Sequence, residues 1–222
     1  MTDPLDAWRD PDLTPARARE IQAELAPRVV LEDRVGTITH VLGADVAFPD
    51  RGRTARAAVV VLAWPSLEPV EEAVAERPTA FPYVPGLLAF REMPPIMAAM
   101  ASIGKAPDAI LCDGHGLAHP RRFGLACHVG LVTGIPTIGV AKSRYVGEYT
   151  EPARERGART PLVDRDETVG AMLRTRTGVR PVFVSPGHLV DREAACRIAL
   201  ECAPRYRVPE PIRRADRLAP RR

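Results

Sequence analysis

Residues 108–142 read "DAILCDGHGLAHPRRFGLACHVGLVTGIPTIGVAK", and their pattern decides the fold. A short apolar run ends on Asp113, and a second one, "PTIGVA", ends just before Lys142. Between the two runs, "RRFGLACHVGLVTG" is typical of a mostly buried helix. A strand, a helix and a second strand in this order predict a crossover, so we expect the two strands to lie parallel in one sheet.

Further strand-like runs flank this unit on both sides. Three precede it, "GTITHVLGADVAF", "TARAAVVVLAW" and "LEPVEEAVAER", and the short turns between them predict an antiparallel meander. Two more, "ETVGAMLRTRT" and "RPVFVSPG", predict a later strand pair. The expected fold class is α/β, a mixed sheet of three antiparallel strands followed by parallel strands. This element order is that of ribonuclease H-like sheets, and it also occurs in other mixed α/β domains.

Helices are predicted before, within and after the strand region. Thr14 and Pro15 are typical of an N-cap and a first helical residue. After Glu92, "EMPPIMAAMASIG" places its methionines and isoleucines on one helical face, and "LVDREAACRIALECA" predicts a closing helix. The sheet is therefore expected to be flanked by helices.

The length of 222 residues suits one domain, and 45% hydrophobic and 27% charged residues are ordinary for a globular protein. No apolar run approaches the roughly 18 residues that span a bilayer, and the opening residues do not resemble a signal peptide. We expect a cytoplasmic monomer without membrane contact. The four cysteines form no CxxC pair, which favours reduced thiols in the core.

Charge is distributed unevenly along the chain. Residues 205–222 contain seven arginines against Glu210 and Asp216, a net charge of +5, so the remainder carries about −2 of the total +3. We expect residues 1–204 to form a single catalytic domain and residues 205–222 to form a basic tail. Such a tail could meet a polyanion or simply remain solvated.

Three acidic residues are candidate metal ligands. Asp45 and Asp113 each end an apolar strand, and if these strands are neighbours their carboxylates face each other across about 5 Å and repel unless a cation lies between them. Glu92, expected just before a helix, supplies a third oxygen donor. Such hard ligands describe a Mg²⁺ or Mn²⁺ site. Taken singly, either aspartate is equally typical of a strand-end turn, and Glu92 of a helix N-terminus.

Histidine and cysteine offer further ligand types. His119 follows Asp113 closely enough to return over a metal site and contact a phosphate or a water. His188, with Asp191 close by, is a candidate ligand from a fourth element. A zinc site is the alternative for Cys112, His115, His119 and Cys127. Their spacing matches no usual zinc pattern, and Cys112 should point to the face of its strand opposite Asp113.

Lys142 is noteworthy because only two of the 31 basic residues are lysines. A strand-end surface charge would normally be arginine in this sequence. A compact ammonium beside a phosphate and close to a metal gives a reason for lysine.

Five longer stretches together resemble the endonuclease V family of repair nucleases. They are "GADVAF" around Asp45, "FPYVPGLLAFRE" at 81–92, "DGHGLAHPRRFGLACHVG" at 113–130, "IPTIGVAKS" at 135–143 and "SPGHLVD" at 185–191. The resemblance extends over roughly residues 10–205 and leaves the basic tail unmatched.

This resemblance implies a ribonuclease H-like fold, Mg²⁺ or Mn²⁺ as cofactor, and recognition of deoxyinosine in DNA. It also implies hydrolysis of the second phosphodiester bond on the 3′ side, which leaves a 3′-hydroxyl and a 5′-phosphate. By this resemblance, Asp45, Glu92 and Asp113 bind metal, and His119 and Lys142 lie next to the reacting phosphate. It also implies that Tyr83, between Pro82 and Pro85, is the wedge at the lesion. The pocket for the extruded base is then formed by Gly86, Leu88 and Gly124.

Two other functions remain open from the sequence. Some members of the family prefer inosine in RNA, and contacts to 2′-hydroxyls are not visible in a sequence. A non-catalytic protein that only binds inosine is the other alternative, and the intact acids at positions 45, 92 and 113 argue against it.

Overall fold

A mixed eight-stranded sheet forms the centre of the computed structural model, which describes residues 3–220. The strands are β1 (His40–Ala47), β2 (Thr54–Ala63), β3 (Pro69–Pro78), β4 (Ala109–Asp113), β5 (Thr137–Ala141), β6 (Arg159–Asp164), β7 (Glu167–Leu173) and β8 (Val182–His188). The helices are α1 (Pro15–Leu25), the single turn α2 (Pro49–Gly52), α3 (Ala89–Met100), α4 (Leu125–Thr133), α5 (Arg192–Glu201) and α6 (Glu210–Leu218).

The strand order is β3-β2-β1-β4-β5-β8-β7-β6. Strands β1, β2 and β3 form the antiparallel meander, and β1, β4 and β5 run parallel to one another. Helix α4 connects β4 to β5, as the pattern of residues 108–142 predicts. The predicted fold class and the later antiparallel pair, β7 with β8, are confirmed. Strand β6 was not predicted, because only Leu162 of its six residues is fully buried and Pro161 interrupts it.

Two helical layers cover the sheet, and the alternation of side chains along the strands assigns each residue to one of them. Leu42 and Ala44 of β1 pack in the cluster that contains α1, α3 and α4 residues. Val41 packs in the other cluster, with residues of α5 and α6. Since successive strand residues point to opposite faces, Gly43 and Asp45 share the α6 face with Val41.

Helix α3 begins at Ala89, before Glu92, although the prolines at positions 94 and 95 suggest a later start. A turn closed by the Leu87 N–H donating to the Val84 carbonyl already sets the helical direction. Glu92, expected just before the helix, therefore lies in its first turn and is buried.

The structure corrects the expectation of a free basic tail after residue 204. Residues 210–218 form α6, whose Ile212 and Ala215 are fully buried against the sheet. Arg207 donates to the carbonyls of Arg180 and Pro181 and ties the preceding segment to the domain. The sequence interpretation followed the arginines and overlooked the apolar stripe between them. None of the helices between residues 3 and 220 has the length and apolar character needed to cross a membrane.

The contact between β1 and α6 depends on a missing side chain. A Cβ atom at Gly43 would lie 2.1 Å from the backbone carbon of Pro211. No bulkier residue at position 43 leaves α6 in place.

We expect Gly43→Ala to lower the free energy of unfolding by about 1–3 kcal/mol, the usual cost of overpacking a core. Urea denaturation measures this effect. Gly104→Ala is the matched control, since a Cβ there is 3.9 Å from its nearest neighbour, Glu71 Oε1. Equal denaturation midpoints for the two variants would contradict a close β1–α6 contact.

Candidate functional site

Two aspartates meet at the carboxyl ends of the parallel strands, and a third joins them from α6. The β1–β4 register pairs Ala44 with Cys112, so Asp45 and Asp113 follow side by side. Asp216 reaches them from α6, and a carboxylate oxygen from each of the three lies within 4.8 Å of the others. We call Asp45, Asp113 and Asp216 the acid cluster. Among residues 3–220, no other group of three or more metal-type side chains is this close.

Sequence reasoning missed Asp216 because it treated the segment as a tail. A signal was present, since Ile212, Ala215 and Ala219 recur at helical spacing and are all fully buried. A helix with that stripe must lie on the sheet, and its acidic residue must then lie near the sheet.

The acid cluster is electrostatically strained in the absence of a cation. Burial, followed by the charges of Asp113 and Asp216, raises the pKa of Asp45 to about 7. Burial also raises the pKa of Glu92 well above its usual value, and the charges of Asp45 and Asp113 add to this effect. Carboxyl groups that resist ionisation at neutral pH gain most from a bound cation.

The donor set fits a hard divalent cation. Three carboxylates supply only oxygen ligands, which Mg²⁺ and Mn²⁺ prefer, and they leave room for water or a phosphate oxygen. Glu92 is not within the acid cluster, although the charges of Asp45 and Asp113 add to the burial that raises its pKa, and it lines the adjoining cavity.

Lys142 binds the acid cluster directly. Its Nζ lies 2.6 Å from Asp113 Oδ2 and 3.3 Å from Asp216 Oδ1. Burial lowers the pKa of Lys142, but the hydrogen bond to Asp113 and the charges of both acids outweigh burial and raise the pKa overall. Lys142 therefore links the end of β5 to α6 through the acids.

A cavity of about 330 Å³ opens beside Asp113. Its walls include the three residues predicted for the base pocket, Gly86, Leu88 and Gly124. Tyr83, Glu92 and His119 line it as well. We call it the site cavity. Pro82 does not line it. The volume is at the lower end of the range for small-ligand pockets, about 300–1,000 Å³.

His119 lines the site cavity, but both of its ring nitrogens already have protein partners. Nδ1 accepts from the Arg121 N–H at 3.2 Å, so Nε2 carries the proton and donates to the Gly86 carbonyl at 3.0 Å. Burial, together with the charge of Arg121, lowers the pKa of His119 to about 4. His119 is therefore a neutral donor in this structure and not an acid ready to protonate a leaving group.

Tyr83 extends from the rim of the site cavity into solvent, with 70% of its surface exposed. The Arg91 guanidinium lies 5.7 Å from its ring centroid and 4.7 Å from that of Phe48, so the two rings contact one cation. An exposed aromatic ring supported at its base is available to a partner.

The structure corrects the suggestion that His188 is a metal ligand. Strands β5 and β8 are antiparallel, which pairs His188 with Thr137 at the start of β5, whereas Lys142 follows its end. Five strand residues separate these ends by roughly 16 Å. His188 Nδ1 instead accepts from the Val30 N–H, and Asp191 caps α5 through the Ala194 N–H.

The zinc alternative also fails on geometry. Cys112 is fully buried in the α3–α4 cluster, on the face of β4 opposite Leu111, which packs with α5 and α6. Burial raises the pKa of Cys112 and of Cys127, which disfavours the thiolates that zinc needs.

Comparisons with known proteins agree on one family. The family model described as Endonuclease V matches residues 23–217. Endonuclease V of Azotobacter vinelandii is 48% identical over 219 residues, 99% of each chain. The crystal structure of endonuclease V from Streptomyces avermitilis is 48% identical, with a TM-score of 0.89 over 93% of this chain and 91% of that one. Ciona intestinalis endonuclease V, solved with a 23mer DNA containing an inosine followed by a ribo-adenosine, is 26% identical, with a TM-score of 0.80 over 93% of this chain and 97% of that one.

The raised pKa of Asp45 predicts a pH-dependent stability in the protein without divalent cations. Between pH 3.8 and about 7 the folded state keeps a proton that the unfolded state has released, so the free energy of unfolding falls as the pH rises. The Asp45→Asn variant lacks this titrating group. From pH 4 to pH 8 its free energy of unfolding should therefore rise by at least about 1 kcal/mol relative to that of the wild type, since one pKa unit equals about 1.4 kcal/mol.

Urea denaturation in a chelator at both pH values measures this gain. Asp12→Asn, at an exposed position, is the matched control and should show no such difference. A gain of the same size in both variants would show that Asp45 is not held in an acidic, buried environment.

Proposed function

This chain belongs to the endonuclease V family of nucleases, and we propose its function from that premise. It is a metal-dependent DNA repair endonuclease that recognises deoxyinosine. It hydrolyses the second phosphodiester bond on the 3′ side and leaves a 3′-hydroxyl and a 5′-phosphate. One observation carries the proposal: Asp113 belongs to the acid cluster and also lines the site cavity, so a base bound in the cavity brings its own strand to the acids.

Asp45, Asp113 and Asp216 are the residues that would hold Mg²⁺, with Mn²⁺ as a substitute, and Glu92 adds a buried carboxyl beside them. A divalent cation there would lower the pKa of a bound water and neutralise charge on the phosphate. The strained carboxyl of Asp45 supports this assignment, because a cation relieves the repulsion that raises its pKa.

Lys142 holds two of these acids and supplies a positive charge at the same edge of the sheet. Because its ammonium lies 2.6 Å from Asp113 Oδ2, it can donate to the oxygens of a phosphate that approaches Asp113. His119 has a different part in this proposal from the one expected from the sequence. With both nitrogens bound, it positions the Gly86 carbonyl and forms a wall of the base pocket.

The site cavity favours a base that presents a carbonyl. In the described residues, the backbone N–H groups of Gly86, Leu88 and Ala89 have no acceptor, and all three residues line the cavity. Hypoxanthine carries a carbonyl where adenine carries an amino group, so donors at this wall accept the first and reject the second. Gly86 adopts φ +81, and a Cβ there would lie 2.9 Å from the Tyr145 hydroxyl, so only glycine fits.

The neighbouring structure from Ciona intestinalis supports inosine-containing DNA as the substrate, since that protein was solved with such a strand. The proposal transfers this partner to the present chain through the shared family and fold. A cytoplasmic location, a monomeric state and a role in repair remain predictions from the sequence.

The proposed activity predicts Mg²⁺-dependent nicking of a duplex with a single deoxyinosine. Asp113→Asn should lower the cleavage rate by at least about 100-fold, since it removes a charge from the acid cluster, while binding of the duplex survives in part. Gel mapping of both product ends identifies the bond that is cut. Asp12→Asn should cleave like the wild type.

Matched RNA strands with one inosine belong in the same experiment. Faster cleavage of RNA than of DNA would replace the proposal with an inosine endoribonuclease. Binding without any product in Mg²⁺ or Mn²⁺ would replace it with a non-catalytic reader of inosine.

Tyr83 is proposed as the wedge that fills the gap left by an extruded base, which costs a few kcal/mol of stacking. Tyr83→Ala should weaken discrimination between deoxyinosine and undamaged duplexes about tenfold and leave Mn²⁺ affinity unchanged. Competition cleavage and metal titration measure the two effects. Tyr206→Ala, another exposed tyrosine, is the control. Unchanged discrimination in Tyr83→Ala would remove it from this role.

A further inference from the structure

Gln22 is a polar residue in the apolar face of α1. Its neighbours on that face, Ala18, Ile21 and Leu25, are fully buried, and Gln22 itself is 1% exposed. A buried primary amide is unfavourable unless its two N–H donors and its oxygen all find partners. No step of the proposed chemistry accounts for a glutamine at this position.

The side-chain amide of Gln22 joins the two walls of the site cavity. Its Nε2 donates to the Gly86 carbonyl at 3.0 Å and to the Phe123 carbonyl at 3.1 Å. Gly86 lies in the wall formed by the loop before α3, and Phe123 immediately precedes Gly124, which lines the cavity from the segment before α4. One side chain therefore sets the distance between the two walls.

The Gly86 carbonyl has two further donors. His119 Nε2 and Arg121 Nη2 each donate to it at 3.0 Å, and Gln22 Oε1 in turn accepts from Arg121 Nε at 2.5 Å. The carbonyl cannot turn without losing three hydrogen bonds. This holds the peptide that joins Gly86 to Leu87 in place, and the N–H groups of Gly86 and Leu88, in the peptides on either side, find no acceptor in the described residues.

We propose that Gln22 is a specificity-determining positioning residue, which fixes the spacing and orientation of both cavity walls and so tunes their selection of the base. The inference rests on the proposed function, because it concerns selection by the same cavity. Gln22 itself lines the site cavity, but both hydrogens of its amide are already used, so it has none to donate to a base and acts through Gly86 and Phe123. Discrimination between a carbonyl and an amino group depends on donor–acceptor distances near 2.7–3.2 Å, and a small shift of one wall abolishes it.

Two substitutions separate the donors of Gln22 from its acceptor. Gln22→Met removes both and keeps the length of the side chain. Gln22→Glu keeps an acceptor for Arg121 but loses the two donors to the carbonyls while it is ionised. Glu24→Met is the matched control, because Glu24 is an exposed residue two positions further along α1.

Selectivity is measured as the inhibition constant of an undamaged competitor duplex divided by the KM for a deoxyinosine duplex. We expect Gln22→Met and Gln22→Glu to lower this ratio about tenfold through a higher KM, with the single-turnover rate at saturating enzyme within about twofold of the wild type. Glu24→Met should match the wild type. Thermal unfolding identifies any variant that fails to fold, in which case the other substitution decides.

Unchanged selectivity in a folded Gln22→Met variant would overturn the inference. Unchanged selectivity in Gln22→Glu would also overturn it, because it would show that the acceptor for Arg121 matters and the two donors to the carbonyls do not. An equal loss of single-turnover rate and selectivity would indicate a merely structural residue and would also overturn it. If the wild type itself shows no preference for deoxyinosine, the proposed function fails, and that result is separate from any difference between the variants.

Discussion

The parallel pairing of β1 with β4 is the constraint on which the site depends. It aligns two strands so that both end at the same edge of the sheet, with Ala44 beside Cys112 and the two aspartates next in line. An antiparallel arrangement would place Asp45 and Asp113 at opposite edges, as it does for His188 and Lys142 on β8 and after β5. The meeting of Asp45 and Asp113 is thus a consequence of the parallel pairing of β1 with β4.

The electrostatics of the site follow from that placement. Adjacent carboxylates at a partly buried edge repel one another, and the ion pairs of Lys142 with Asp113 and Asp216 partly offset this repulsion. Burial and the charges of Asp113 and Asp216 still raise the pKa of Asp45, although Lys142 lowers it, so a further positive charge would stabilise the ionised site. The acids of the site fit a cation, and the ammonium of Lys142 beside them fits a phosphate.

The cavity depends on a different kind of constraint, the control of backbone direction. Glycine at position 86 allows a positive φ, and three donors then hold its carbonyl in one orientation. Residues from α1, from the loop after β4 and from the segment before α3 all meet at this one carbonyl. The backbone wall that would select a base is accordingly held in place by hydrogen bonds from side chains to one carbonyl.

The order of most strands and helices, the crossover, and four candidate residues at the site edge could be predicted from the sequence; these residues are Asp45, Glu92, Asp113 and Lys142. These are local signals, since hydrophobic periodicity and strand ends are written in short windows of residues. Tertiary structure alone decided that Asp216 completes the acid cluster, that His188 lies at the far edge, and that Gln22 and His119 converge on Gly86. Those relations join residues as much as 171 positions apart, from Asp45 to Asp216, and depend on how α6 and α1 pack on the sheet. No short window of the sequence contains that information, because packing distances are set by the whole core.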